Sequence, residues 1–116
     1  MITDPGRLLN YESDALTTYR HLPGAVVLPR ATAETAAVLA ALHGAGIPVV
    51  PRGAGTGLSG GAVPLGGAVV VGTARMDRIL EFRPEERRAR VQAGVINSRL
   101  SALALPHGLH YAPDPS

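Results

Sequence analysis

The amino-acid sequence predicts an α+β fold, in which a βαβ unit is followed by antiparallel strands. Three observations support this class. Two short apolar runs, "AVVLP" and "IPVVP", flank a segment with helical periodicity. A glycine-rich stretch follows the second run directly. Two partly alternating segments, "RILEFRP" and "RARVQAG", then lie on either side of a short polar turn.

The first strand and the helix are predicted from residue type and spacing. Residues 25–29 form a short apolar run with two β-branched valines, which is typical of a buried strand. Thr32 is the predicted N-cap of the helix, and Glu34 suits the positive end of its dipole. Gly44 and Gly46 predict its end. One apolar stripe recurs at the helical period: Thr35, Val38, Leu39 and Leu42.

The second strand, residues 47–51, completes the βαβ unit, so the two strands should be parallel with a right-handed crossover. A further strand is predicted at residues 68–72. Residues 78–84 and 88–94 partly alternate and predict half-buried antiparallel strands joined at "PEER". A second helix is expected in "VINSRLSALALPHG", with one apolar side formed by Ile96, Leu100, Leu103 and Ala104.

The N-terminal residues 1–22 are interpreted as a polar lead with a helical piece in "YESDALTTYRHL". Pro23 and Gly24 end that piece. Residues 23–116 are interpreted as the main domain, and the chain ends at Ser116 in a segment that closes no domain. We therefore expect a truncated domain, or one whose other half lies elsewhere.

Composition excludes several classes of function. The 116 residues contain eleven arginines, no lysine and nine acidic residues, and the arginines are scattered. With only four aromatic residues, the sequence does not indicate a nucleic-acid interface. The absence of cysteine excludes disulfides, thiolate catalysis and cysteine-bound metals within this chain. The sequence begins without a signal peptide and contains no apolar run near 20 residues, so we expect a cytoplasmic protein without a membrane span.

No histidine or acidic pair suggests a metal or catalytic centre. His107 and His110 flank a turn, but no third ligand lies near them in the sequence. Asp77 and Glu81 are four residues apart, but they fall in a predicted strand rather than on one helix face. We expect no metal site and no catalytic residue in this chain.

The glycine-rich stretch "PRGAGTGLSGG", residues 51–61, is the candidate functional element. Gly55, Gly57 and Gly60 match the G-x-G-x-x-G spacing, but no helix is predicted after Gly60, as the dinucleotide fingerprint requires. Gly55 and Gly60 also match the P-loop spacing, but Gly61 and Ala62 replace its lysine and hydroxyl residue. Neither template is supported.

What remains is a loop between two strands that is rich in unshielded backbone amides. Successive amides in mixed-handed conformations form anion-binding concavities, and glycine permits both the conformations and close approach of a ligand. Thr56 and Ser59 add hydroxyl donors, and Arg52 adds a charge or anchors the base of the loop. A pyrophosphate would fit this arrangement. The alternative is a long structural turn without a ligand, and composition alone leaves both open.

The segment "VVPRGAGTGLSGG" resembles the pyrophosphate loop of the vanillyl-alcohol oxidase, or PCMH-type, FAD-binding domain. The preceding "LPGAVVLPRATAETAAVLAAL" is similar to the strand and helix before that loop. "ARMDRILEFRPEERRARVQAGV" and "HGLHYAPDPS" resemble the branch that contains FAD-linked glycolate oxidase subunits and D-lactate dehydrogenases. The resemblance extends from about Tyr11 to Ser116 and implies the first subdomain of a PCMH-type fold.

The resemblance implies that FAD binds without a covalent link, because Thr56 occupies the place where some members tether the flavin through histidine. It implies oxidation of a small 2-hydroxy acid such as glycolate or D-lactate by the intact protein, with an iron–sulfur or second flavin subunit as a possible partner at the inner membrane face. The implied catalytic base and substrate groups lie outside this chain. The implied cofactor contacts are Arg52, Gly53, Ala54, Gly55, Thr56, Gly57, Leu58, Ser59, Gly60, Pro113, Asp114 and Ser116.

Two other functions remain open at the level of sequence. One is a non-catalytic module that retains the fold and associates through an exposed sheet edge, because an unpaired edge favours self-association. The other is an unrelated phosphate-binding domain.

Overall fold

The computed structural model describes residues 1–112 and contains two sheets and three α-helices within that range. The helices are α1 (Pro5–Leu8), α2 (Thr32–Gly44) and α3 (Asn97–Ala104). The strands are β1 (Ala25–Val27), β2 (Val49–Arg52), β3 (Val69–Gly72), β4 (Ile79–Arg83) and β5 (Arg88–Val91). Short 3₁₀ turns cover Leu9–Tyr11, Leu65–Gly67, Pro84–Glu86 and Leu105–His107. Among the described residues, no helix is long and apolar enough to cross a bilayer.

The first sheet is parallel and has the order β1–β3–β2. Val70 of β3 is in register with Val26 of β1 and with Val50 of β2. The predicted parallel arrangement of β1 and β2 is therefore confirmed. The two strands are not neighbours, however, because β3 is inserted between them and pairs with both.

The core lies on β3 and β1. Val26 and Val70 are fully buried, and Ile2 and Leu8 of the N-terminal segment pack against them. Ile2 also forms an antiparallel bridge to Val26, with backbone hydrogen bonds of 2.7 and 2.9 Å. Every residue of β3 is buried, as expected for the central strand of a parallel sheet.

Helix α2 ends as predicted but begins one residue earlier than expected. Its N-cap is Ala31, so the prediction of Thr32 as N-cap was wrong. Glu34 in the first turn accepts a 2.7 Å hydrogen bond from the amide of Arg30, the residue before the N-cap, and no side chain caps the helix amides themselves. At the other end Gly46 has φ +66°. Its amide donates to the carbonyl of His43 at 3.0 Å, and the amide of Ile47 donates to that of Leu42 at 2.9 Å, which together form a Schellman motif. The apolar stripe is only partly covered, because no residue of α2 is fully buried and Leu39 is exposed.

The second sheet is the antiparallel hairpin of β4 and β5, as the sequence predicted. Its turn is the 3₁₀ segment Pro84–Glu86, and Arg87 follows in the left-handed region at φ 54°. The expectation of half-buried strands was wrong for β5, which is exposed along its whole length. Of the predicted apolar side of α3, only Ala104 is buried.

The predicted helical piece at residues 11–22 was also wrong. The helix lies earlier, at Pro5–Leu8, where Asp4 caps it by accepting a 3.0 Å hydrogen bond from the amide of Arg7. Pro5 at the first helical position needs no hydrogen-bond acceptor for its nitrogen. Residues 12–22 form turns and irregular backbone.

Candidate functional site: the glycine-rich loop

The glycine-rich loop begins at the carboxyl end of β2 and returns to the amino end of β3. Arg52 closes β2 and accepts a 3.0 Å hydrogen bond from the amide of Thr73, which follows β3. At the other side of the sheet, the carbonyl of Gly67 accepts from the amide of Gly24, which precedes β1. The first part of the loop therefore lies at the carboxyl edge of the parallel sheet, where open α/β sheets bind ligands.

The loop presents a run of backbone donors without acceptors. Within residues 1–112, the amides of residues 53–62 donate no hydrogen bond to another protein group. Most of these residues are exposed. Gly55 and Gly60 have φ of +76° and +72° among residues with negative φ, so the loop alternates in handedness. Unpaired amides in such a mixed-handed backbone are donors for an anion.

The glycines of the loop have different structural roles. A Cβ at Gly55 would overlap the guanidinium of Arg52 and lie 2.6 Å from its Cζ. Its φ of +76° also lies in the left-handed region, so glycine is favoured at this position independently of any ligand. A Cβ at Gly53 or Gly61 would meet nothing within 4 Å, and one at Gly57 would meet only Asp14, at 4.0 Å. Gly53 and Gly61 therefore leave open space in front of the backbone, whereas the Cβ direction of Gly57 points toward the Asp14 carboxyl.

Arg52 turns beneath the loop toward the N-terminal segment. Its guanidinium donates to the carbonyl of Ser13 at 2.6 Å and to that of Asn10 at 3.5 Å. It also lies over the ring of Tyr11, 5.4 Å from the centroid. Charge-assisted hydrogen bonds and cation–π contacts of this kind each contribute about 1 kcal/mol or more. Of the two predicted roles of Arg52, these contacts describe the anchor; contact with a cofactor stays a prediction.

The N-terminal segment also contacts the loop at Gly57. The amide of Ala15 donates to the carbonyl of Gly57 at 3.2 Å. Asp14 is 6% exposed, and its Oδ1 accepts a 2.9 Å hydrogen bond from the amide of Leu16. Its Oδ2 faces Gly57, is buried and has no hydrogen-bond partner among the described residues. A buried acceptor without a donor is rare and calls for a specific explanation.

The remaining predicted site residues of the loop, Ala54, Thr56, Leu58 and Ser59, are exposed on it, and Leu58 is 72% exposed. The hydroxyls of Thr56 and Ser59 are thus accessible beside the amides. The predicted contacts Pro113, Asp114 and Ser116 lie outside the described residues. Within residues 1–112, no group of three histidine or acidic side chains could hold a metal ion.

No local pattern in the sequence predicts the contacts between the loop and residues 10–15. Arg52 and Ser13 are separated by 39 positions, and no periodicity connects them. Tyr11 of "YESD" was the residue to notice, because a guanidinium stacks on aromatic rings, whereas the two acceptors of Arg52 are backbone carbonyls that no side-chain pattern marks.

The fold is that of a flavin-binding domain. This chain belongs to the FAD binding domain family, whose model matches residues 23–116. It is 51% identical over 109 residues to "Glycolate oxidase subunit GlcD" of Escherichia coli K12, covering 94% of this chain and 22% of that protein. It is 40% identical to the Bacillus subtilis protein of the same name, covering 98% of this chain and 24% of the relative.

A "D-lactate dehydrogenase" of Anaerostipes hadrus is 37% identical over 107 residues, covering 91% of this chain and 22% of the relative. Among solved structures, "alkyldihydroxyacetonephosphate synthase" matches with a TM-score of 0.84 over 97% of this chain and 23% of that one, at 20% identity, and so supports the fold. The expected PCMH-type α+β fold and the resemblance to the glycolate oxidase branch are confirmed. The chain spans about a quarter of the length of these relatives.

The donor set of the loop fits the cofactor of this family. FAD carries a pyrophosphate, and a run of exposed amides without internal acceptors is what a pyrophosphate needs. No acidic side chain lies within the loop itself to oppose an anion. The residues present are therefore compatible with FAD.

Proposed function

We propose that this chain supplies the pyrophosphate-binding part of an FAD-dependent oxidoreductase that oxidises a small 2-hydroxy acid such as glycolate or D-lactate. The main support for this proposal is the run of unpaired, exposed amides at the carboxyl edge of the parallel sheet. The names of the relatives support the substrate class and the reaction.

Within this proposal, the backbone of residues 53–60 binds the pyrophosphate, and the hydroxyls of Thr56 and Ser59 add two donors. The predicted contacts Pro113, Asp114 and Ser116 remain part of the proposed site, and Arg52 belongs to it at the base of the loop. When bound, FAD supplies the acceptor for the two electrons of the substrate. The protein holds the cofactor through amides whose conformation is set before the anion arrives.

We further propose that FAD is bound without a covalent link. Thr56 has a hydroxyl that cannot form the histidyl bond, and no histidine lies between residues 44 and 106. The proposed setting is cytoplasmic. An iron–sulfur or second flavin subunit at the inner membrane face is the proposed partner class, a suggestion supported by the word "subunit" in the names of two relatives.

The experiment is a titration of the purified, flavin-free protein with FAD, followed by flavin fluorescence and calorimetry. Gly53→Ala is the informative variant, because its new methyl meets no protein atom within 4 Å and its φ is not positive. It should leave the fold unchanged but obstruct the approach of a ligand to the backbone. We expect FAD affinity to fall about tenfold or more, which is about 1.4 kcal/mol.

Gly44→Ala is the matched control, because its Cβ also meets nothing within 4 Å and it lies at the end of α2, outside the loop. It should bind FAD as the unsubstituted protein does. If the protein binds no FAD, or if both variants bind it with unchanged affinity, the loop does not carry the cofactor.

A non-catalytic, self-associating module is the second candidate, and one observation favours it. Apolar side chains of the hairpin and α3 are exposed, including Leu80, Ile96 and Leu105. Such a face is suited to a second copy of the chain. The two functions are compatible, since the exposed face is formed by different residues from the loop.

A further inference from the structure

Residues 10–15 precede the region that matches the family model, residues 23–116. We propose that these residues, the N-terminal brace, hold the glycine-rich loop in its anion-binding conformation. In this proposal Arg52 is a positioning residue that acts through the brace, rather than a group that contacts the pyrophosphate. The proposal rests on the proposed function of the loop as a pyrophosphate site.

The first support is the direction of the Arg52 side chain. A strand-ending arginine beside an anion site could point its charge at the ligand. Here the guanidinium is engaged by the carbonyls of Ser13 and Asn10 and by the ring of Tyr11. A planar guanidinium can donate to two acceptors and stack on a ring at once, which a lysine cannot do.

The second support is that the brace and the loop interlock at two glycines. The guanidinium fills the space next to Gly55, so this glycine can adopt φ +76° directly over the anchored side chain. Two positions further along, the carbonyl of Gly57 accepts from Ala15 of the brace. Because the C=O and N–H of one trans peptide point in opposite directions, the amide of Leu58, which shares this peptide, is directed away from Ala15.

The third support is the buried carboxyl of Asp14. Its Oδ1 closes the turn to Leu16, and its Oδ2 lies unpaired beneath Gly57. An unpaired buried acceptor lowers stability, so the stability of the segment does not explain it. Departures of this kind are expected where a segment serves a functional site.

The consequence is preorganisation. A loop rich in glycine loses much conformational entropy when it becomes ordered around a ligand, and a brace that orders it beforehand reduces that loss. Weakening the brace should therefore weaken FAD binding without removing any group that contacts FAD.

The test compares Tyr11→Leu with Tyr11→Phe, and Arg52→Gln with Arg52→Lys, in the flavin-free protein. We expect Tyr11→Leu, Arg52→Gln and Arg52→Lys each to weaken FAD binding about fivefold or more. Tyr11→Phe keeps the ring beneath the guanidinium and should bind FAD normally. The double variant Tyr11→Leu/Arg52→Gln should lose little more than Arg52→Gln alone, because both remove the same anchor.

Salt dependence separates positioning from direct contact. If Arg52 touched the pyrophosphate, Arg52→Gln would reduce the slope of log Kd against log salt concentration, as loss of an ionic contact does. Arg52→Lys would then restore binding, and Tyr11→Leu would leave it unchanged. That combination overturns the proposal. An unchanged slope together with failed rescue by lysine supports it.

A second readout does not depend on FAD. Thermolysin cleaves before exposed leucines, and Leu58 is 72% exposed on the loop. Cleavage at Leu58 of the ligand-free protein should accelerate in Tyr11→Leu and Arg52→Gln. It should stay unchanged in Tyr11→Phe and in Arg88→Gln, whose arginine is 79% exposed in the hairpin. Equal cleavage rates in all variants refute the brace even where FAD binds, whereas faster cleavage without FAD binding refutes only the proposed function.

Discussion

The parallel sheet and the antiparallel hairpin differ in how completely other residues of this chain bury their apolar side chains. Around β3 the valines are buried, and the N-terminal segment closes the core with Ile2 and Leu8. At the two ends of α3 large apolar side chains remain exposed: Ile96 is 69% exposed and Leu105 is 71% exposed. A groove of about 710 Å³ lies between the hairpin and α3, lined by Phe82, Val91, Ile96, Leu100 and Leu109.

The candidate site belongs to the parallel sheet, which is the region whose core this chain covers. The glycine-rich loop emerges from the parallel sheet, and its anchors are supplied by residues 10–15 of the same chain. The hairpin supplies none of the contacts that we describe for the loop. The two regions meet at residues 73–76 and Gly94, so this junction tests whether they depend on each other.

The largest effect is expected at that junction. A Cβ at Gly94 would overlap the carbonyl oxygen of Thr73 and lie 3.0 Å from that of Met76. Backbone atoms cannot move aside as a flexible side chain can. Gly94→Ala should therefore lower the free energy of unfolding by roughly 3 kcal/mol or more. Thermal unfolding followed by circular dichroism measures it.

Gly44→Ala is the control for this substitution. Its Cβ meets nothing within 4 Å, and the residue is the last one of α2. Alanine favours a helix over glycine by about 0.5–1 kcal/mol, so this variant should be as stable as the unsubstituted protein or slightly more stable. If Gly94→Ala unfolds at the same temperature as Gly44→Ala, the two regions are not packed as the structure describes.

A smaller loss of stability is expected when one apolar side chain is truncated, and its size should differ between the buried sheet and the exposed surface near α3. Val70→Ala removes two methyl groups from a fully buried position in β3 and should cost about 2 kcal/mol. Ile96→Ala removes a larger apolar volume from an exposed position before α3 and should change stability by less than about 0.5 kcal/mol. Urea unfolding at equilibrium measures both. Equal losses would mean that the hairpin region is covered in solution.

The sequence predicted the positions of helices, strands and the glycine-rich loop better than the contacts between them. The glycine-rich loop was predicted because the strand before it and the glycines within it are local signals. The end of α2 was predicted for the same reason, since glycine at a left-handed position is a local requirement. The helix at Pro5–Leu8 could have been found as well, because Asp4 and Pro5 are an N-cap and a first-turn proline.

Contacts between distant residues could not be predicted from local pattern. Periodicity shows which residues of α3 share a side, but not whether another element covers that side. Nor does it show that β3 lies between β1 and β2, because strand order is decided by how the whole chain packs. The anchoring of Arg52 by residues 10–15 is of the same kind, so the residues that hold the loop were found only in the structure.

The smallest effect concerns association rather than folding. The hairpin has an unpaired outer edge on each strand within the described residues, beside the exposed apolar side chains of α3. If copies of the chain associate through this face, Ile96→Asp should weaken association about tenfold, because it places a charge at the contact. Leu58→Asp, at 72% exposure on the glycine-rich loop, provides a control of nearly equal exposure in the other region. Sedimentation equilibrium at several concentrations measures both. A loss of association in Leu58→Asp alone would place the contact on the glycine-rich loop. The interface between copies would then lie on the parallel-sheet region and not on the hairpin.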